Sequence, residues 1–281
     1  MAVGKKITDL TASGSLKDTD LAIVHDGKGT KRSTLTQLGE YMGTKFSNPN
    51  LLINPDFRIN QRRQTSYKAG STRLYTVDRW HILDCSATVL DGGLTVQSNN
   101  GGWLAQKLEK AVNGVATLSI KISEISGKLS FADSMNDVTI TSAGVYSITL
   151  SNVNQFSMYL HENTSATIEW AKLEKGSIAT PFVAPNPAEE LVKCRRYYNF
   201  IASHFYGVAN PNGFINEDLV SFRNFRINPT IDIKATYSSG VTESTLTLKG
   251  TNINGYYLYG RTRSTGDYAL DVTIIADAEI Y

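Results

Sequence analysis

The stretch Asp91-Gly92-Gly93-Leu94-Thr95-Val96-Gln97-Ser98-Asn99-Asn100-Gly101-Gly102-Trp103-Leu104-Ala105-Gln106-Lys107-Leu108 decides the fold. Two runs of strand-forming residues, Leu94–Gln97 and Trp103–Leu108, sit between clusters of Asp, Asn and Gly. Such clusters turn a chain, because glycine accepts positive φ without steric cost and Asn tolerates it. The same alternation continues in both directions, from Tyr75 to Phe182. Further strand candidates are Trp80–Asp84, Thr88–Leu90, Ala116–Ile122, Lys128–Ala132, Val138–Ile140, Val145–Leu150, Phe156–His161 and Ala166–Glu174. Asn113-Gly114, Ser126-Gly127 and Ala143-Gly144 are further separators. About ten short strands at this spacing predict a β-sandwich of jelly-roll type.

Residues 1–46, on the N-terminal side, read as a small α/β module. Leu21–His25 is a short apolar strand, Asp26-Gly27-Lys28-Gly29 a turn, and Thr30–Ser33 the returning strand. Thr34 and Gln37 have the spacing of a helix capping box. Leu35, Leu38 and Met42 then fall on one helical face, and Gly43 can end the helix. So few apolar groups do not stabilise a domain alone, so the module is expected to pack on copies of itself or on a larger body. Ser47-Asn48-Pro49-Asn50 is a linker signal.

On the C-terminal side, Pro181–Pro187 is a second linker. Asn186-Pro187-Ala188-Glu189 reads as N-cap, first-turn proline and acidic first turn. Leu191, Cys194 and Tyr198 share a face of the helix that follows. Then come Asn199–Val208, Leu219–Arg226, Ile231–Tyr237, Ser244–Lys249, Tyr256–Arg261 and Tyr268–Ile275, a second β-sandwich. Its turns are Asn210-Pro211-Asn212-Gly213, Ser238-Ser239-Gly240, Asn254-Gly255 and Ser264-Thr265-Gly266-Asp267. The expected organisation is 1–46, 47–185 and 186–281, mainly β throughout.

Composition agrees. The 281 residues include 28 Thr, 25 Ser, 20 Asn and 22 Gly, and 41% are hydrophobic, enough for packed cores. A net charge of +2, from 28 basic and 26 acidic side chains, lacks the basic excess of a nucleic-acid binder. Met1–Leu10 carries two lysines but no following apolar run, so no secretory signal is expected. No apolar stretch is long enough to insert in a membrane.

Catalytic constellations are not evident. His25, His81, His161 and His204 sit in separate strand-like segments without ligand spacing, and Cys85 and Cys194 fit no metal motif, so neither metal nor cofactor is expected. Both cysteines read as small packed hydrophobes. Asp78, Asp84, Glu124, Asp133 and Asp137 offer carboxylates, as any β protein does, without a defined glycosidase pair. Trp80, with Val77 and Ile82, and Trp170, with Ile168, read as core. Asp78 and Arg79 are expected to pair with each other. Trp103 follows an Asn/Gly turn and can stand exposed at a strand start, which makes it the ligand candidate among the tryptophans. Tyr257, Tyr259, Arg261 and Arg263 fall on one strand face, a polar aromatic composition that suits a sugar or protein ligand, a subunit interface or a solvent-facing sheet. Arg62-Arg63 and Lys193, Arg195 and Arg196 read as solvated faces or inter-subunit ion pairs.

These residues also carry a family likeness. Lys5-Lys6-Ile7-Thr8-Asp9-Leu10, Asp20-Leu21-Ala22-Ile23-Val24 and Thr30-Lys31-Arg32-Ser33-Thr34-Leu35 resemble the N-terminal module of bacteriophage tail fibres. Asn50-Leu51-Leu52-Ile53-Asn54-Pro55-Asp56-Phe57-Arg58-Ile59-Asn60-Gln61-Arg62 with Tyr75-Thr76-Val77-Asp78-Arg79-Trp80 resembles the opening of their carbohydrate-binding-module-like jelly roll. Lys172–Phe182, Glu189-Glu190-Leu191 and Cys194-Arg195-Arg196-Tyr197-Tyr198 are similar to the junction leading into their distal β domain. The resemblance implies a virion tail appendage, a homotrimer held to other tail proteins through residues 1–46. Host surface glycan or protein would be met at the C-terminal end, without enzymatic activity. A structural connector or collar and a glycan-degrading tailspike remain the alternatives.

Overall fold

The computed structural model describes residues 16–17, 19–25, 27–43, 45–131, 138–209, 214–219, 225–252, 255–262 and 266–280. The chain forms two compact units: the described residues up to Asn48 with Ile178–Val183, and 49–177 with the residues from 184 onward.

In the first unit, β1 (Leu21–His25) and β2 (Thr30–Thr34) form an antiparallel hairpin, and α1 spans Leu35–Gly43. The capping box is present in both directions. The Gln37 amide donates to Thr34 Oγ1 at 3.1 Å, and the Thr34 amide donates to Gln37 Oε1 at 3.0 Å. The helix buries none of its residues. Ile23, Tyr41 and Phe46 are 76%, 59% and 63% exposed, so this unit has apolar groups but almost no core of its own.

The second unit opens with β3 (Ser66–Lys68), β4 (Leu74–Tyr75), β5 (His81–Leu83) and β6 (Ser86–Leu90). These are followed by β7 (Gly93–Ser126), β8 (Leu129–Phe131), β9 (Val138–Ile140) and β10 (Gly144–Lys175). Together they make one eight-stranded antiparallel sheet. The sequence divides β7 and β10 into pieces, whereas the structure keeps each as one long ladder. The expected turns at Gly101 and Gly114 are corners within β7. Both glycines have positive φ, and Asn163 and Asn152 take positive φ near the matching corners of β10. Such bulged corners bend strands without ending them. They fold the sheet over, so that both of its inner faces meet in one core. Leu104, Phe156, Met158 and Leu160 come from one run, and Leu94, Val96, Leu118, Ile120 and Ile168 from the other.

Trp80 sits at the centre of this core, 4.8 Å from the Phe57 ring and 5.6 Å from that of Phe156. Its indole N–H donates to the Asn54 carbonyl at 2.8 Å. Val77 and Ile82 are fully buried beside it, as expected, but not by alternation: every residue from Tyr75 to Ile82 is buried. Trp170 departs from its expected core position. A register shift between Ile168 and Trp170 breaks the parity that would have sent it inward, and it is half-buried.

After the Asn186 N-cap, whose side chain accepts from the Ala188 amide, α2 spans Pro187–Arg195 and buries Glu190 and Cys194. Tyr198 does not extend the helical face but opens β11 (Tyr198–Ala209). The remaining strands are β12 (Phe214–Leu219), β13 (Thr230–Ser239), β14 (Val241–Asn252), β15 (Gly255–Thr262) and β16 (Gly266–Asp277). They form two three-stranded sheets, β11-β16-β13 and β12-β15-β14. Leu258 of β15 joins Tyr268, Leu270, Val272 and Ile274 of β16 in one core, so the two sheets pack together. β12 lies at Phe214–Leu219; most of the strand expected at Leu219–Arg226 (residues 220–224) and the 210–213 turn lie outside the described residues.

Candidate functional site

Just after the Gly101 corner, β7 runs beside β10 in unbroken register from Gly102↔Leu160 to Lys107↔Gln155. Leu104, Met158 and Leu160 point into the core, so their strand neighbours point out. Trp103 is therefore set on the outer face, directly opposite Tyr159. The two rings lie 4.8 Å apart, and Tyr159 lies 4.9 Å edge-on to His161. Ser130 Oγ is 2.8 Å from His161 Nε2. Leu83 flanks Trp103 on β5, and Ser130 flanks Tyr159 on β8, so one row crosses four strands.

Trp103 is 39% exposed, high for an indole with an aromatic neighbour. Two close approaches hold the row in place. A Cβ on Gly101 would collide with the Tyr159 hydroxyl. One on Gly102 would come within 2.8 Å of Leu83 O, Asp84 O and Cys85 Cβ. The Cys85 thiol donates to the Trp103 carbonyl at 3.3 Å, and burial pushes its pKa up to about 11, so it stays a thiol. Burial also pushes the Cys194 thiol up. The row offers ring faces beside a phenol and an imidazole, which suits ring-shaped ligands with apolar faces and hydroxyl rims.

The second expected group is only partly described. Tyr259 is half-buried and Arg261 exposed on β15, on the opposite side from fully buried Leu258. The Tyr257 backbone pairs with Asp218 and Lys249, and Arg263 lies outside the described residues. Trp103 and the β15 residues belong to different sheets.

The motif residues of the Asp78-Arg79-Trp80 and Arg196-Tyr197-Tyr198 segments meet in a buried polar network. Asp78 and Arg79 do not pair with each other, contrary to expectation. Arg79 pairs with Glu279, stacks 3.7 Å over the Tyr197 ring and donates to the Lys107 carbonyl at 2.7 Å. Asp78 pairs with Arg62 at 3.2 Å, and Arg62 stacks 3.8 Å over Tyr198. Arg62 is thus a buried structural group, and Arg196 forms a two-pronged pair with Glu109. Burial pushes the Asp78 carboxyl up to about 7, against the pull of Arg62 and of hydrogen bonds from Gln61. Burial, together with the charges of Arg73, Arg79 and Lys107, pushes His81 down to about 4. A buried pair of this kind fixes geometry more than it supplies stability.

Tyr159 and His161 were missed as site residues. Their alternation with Met158 and Leu160 marked them as outward-facing, but their position beside Trp103 depends on a register spanning 56 residues, from Trp103 to Tyr159.

No protein-family model and no curated protein sequence matches the chain. Among solved structures it is similar to recombinant discoidin II of Dictyostelium discoideum, with 13% identity, 70% of this chain and 82% of that one covered, and a TM-score of 0.25. A family 29 carbohydrate-binding module shares 16% identity over 44% of this chain and all of its own, with a TM-score of 0.28. A triple jelly-roll turret protein of an archaeal virus shares 10% identity over 92% of this chain and 89% of its own, with a TM-score of 0.20. Likenesses at these scores carry no functional argument, and the site's own geometry has to supply one.

Proposed function

We propose that the chain is a non-enzymatic attachment protein that binds glycan on the outer row formed by Trp103, Tyr159 and His161. The observation that carries this reading is the outward-facing, stacked Trp103–Tyr159 pair. Burying such rings in a monomer would be the more stable arrangement, by about 25 cal/mol for each Å² of apolar surface removed from water. A sugar ring laid on them removes that surface while its hydroxyls meet Tyr159 and His161. Contacts of this kind are weak singly and become strong when several copies act together.

The role that fits is a virion tail appendage that attaches a phage to its host surface. Residues 1–46 serve as anchor and trimerisation module, and Tyr259 and Arg261 with Tyr257 and Arg263 form a second contact face. The exposed apolar groups Ile23, Tyr41 and Phe46 support self-association.

A glycan array of bacterial surface polysaccharides tests the reading. The purified chain should bind at least one. Trp103→Ala with Tyr159→Ala should weaken that binding by about tenfold or more, since each aromatic contact is worth about 0.5–1.5 kcal/mol. The unfolding midpoint should change little. Equal binding by the variant removes the row from the site.

A further inference from the structure

The pairing of β7 with β10 is interrupted between Lys107↔Gln155 and Val112↔Val153, and the intervening residues of β7 bulge out. A cleft of about 720 Å³ opens there, against the end of α2 and the Leu51–Ile53 segment. Its wall carries Arg79, Lys107, Lys110, Lys175, Lys193 and Arg196 against one carboxylate, Glu109. Glu279 and Glu190 stand behind Arg79 and Lys193. With Glu109 on Arg196, Glu279 on Arg79 and Glu190 on Lys193, Lys107 and Lys110 are the two cations of this wall left over. No carboxylate among the described residues pairs with Lys107 or Lys110. Arg79, only 1% exposed, has an Nε–H without an acceptor in the protein. Two lysines without an acid partner, in a wall that also holds Arg79, favour an anion in the cleft.

The cleft also has a direction. Trp103 and Lys107 lie on the same unbroken run of β7 with the same parity, and so on the same face. At about 3.3 Å per residue they are roughly 13 Å apart, within reach of a short oligosaccharide. Ala105 between them is buried against His81, so the open path runs over half-buried Ser157 and exposed Gln155 on β10. Leu108 and Val112 add apolar wall beside the charges.

We propose that this cleft takes the carboxylate of an acidic saccharide whose rings lie on the Trp103–Tyr159 row. The inference rests on the glycan reading above and narrows its ligand to polyuronic or other carboxylated chains. Calorimetry on the full chain tests it with matched pairs: oligogalacturonate against its methyl ester, and a hyaluronan tetrasaccharide against its carboxyl-reduced form. The acidic member of a pair should bind about tenfold more tightly at low salt, and the preference should shrink at high salt. Lys107→Ala with Lys110→Ala should abolish the preference and leave binding of the neutral member unchanged. Neutral members bound through Trp103 with no acidic preference, or a preference that survives the double substitution, overturn the cleft assignment alone. Acidic binding that needs the lysines but ignores Trp103→Ala overturns the aromatic row instead. Binding of no member overturns the acidic-ligand assignment and leaves the row to be judged by the glycan array.

Discussion

Asp78 and His81 lie on one segment, and their surroundings displace them in opposite directions. Asp78 is raised from 3.8 to about 7, so between those values the folded protein keeps a proton that the unfolded chain has lost. Its contribution is present below pH 3.8 and is lost as pH rises toward 7. His81 is lowered from 6.5 to about 4, so there the unfolded chain holds a proton that the folded protein refuses. Its contribution is lost as pH falls from 6.5 toward 4. The windows overlap and the two slopes offset each other. Asp78→Asn should therefore leave a stability that rises with pH between 4 and 6.5, by up to about 1.4 kcal/mol per unit. His81→Gln should show the opposite slope. Urea unfolding across that range measures both, and parallel curves for wild type and variants would refute the assignment.

Gly102 matters at the level of elements, because β7 passes the end of β5 at a distance that leaves no room for a methyl group. Gly102→Ala should cost about 1–3 kcal/mol through overpacking. It should also move Trp103 enough to weaken glycan binding, whereas a similar change at Gly114, which has open space around it but positive φ, should destabilise without touching the row. Thermal unfolding and binding measured together separate the two effects. The elements themselves were largely legible in the sequence. The Thr34/Gln37 box, the Asn186 cap and the apolar cluster of Val77, Trp80 and Ile82 depend on neighbours a few residues away. What local pattern could not show was that Asn-Gly pairs inside a long ladder act as corners, since a bulge and a hairpin turn use the same residues. Trp170 leaves the core through a register shift after Ile168 that local alternation does not show, and the partner of Arg79, Glu279, lies 200 residues away rather than next to it.

For the whole molecule, the N-terminal unit poses the question of partners. A capped helix that buries nothing and a hairpin with exposed Ile23 do not form a self-sufficient core. Under the proposal of a trimer, sedimentation of the full chain should give three copies. Ile23→Ser with Tyr41→Ser should shift it toward the monomer while the pH-dependent unfolding of the second unit persists. A wild-type chain that stays monomeric at all concentrations contradicts the proposal.

The long β7–β10 ladder also governs how the protein reaches its native state. Thr95 meets Thr167 across 72 residues, so one side of the sheet must wait, unpaired, while the other is synthesised. Ladders closed over such distances form slowly, because the entropy of closing the loop is lost before any contact compensates. Meanwhile the open edge of β7 is a template for a neighbouring chain. Production at high temperature should accordingly favour aggregates, and slower synthesis should favour soluble protein.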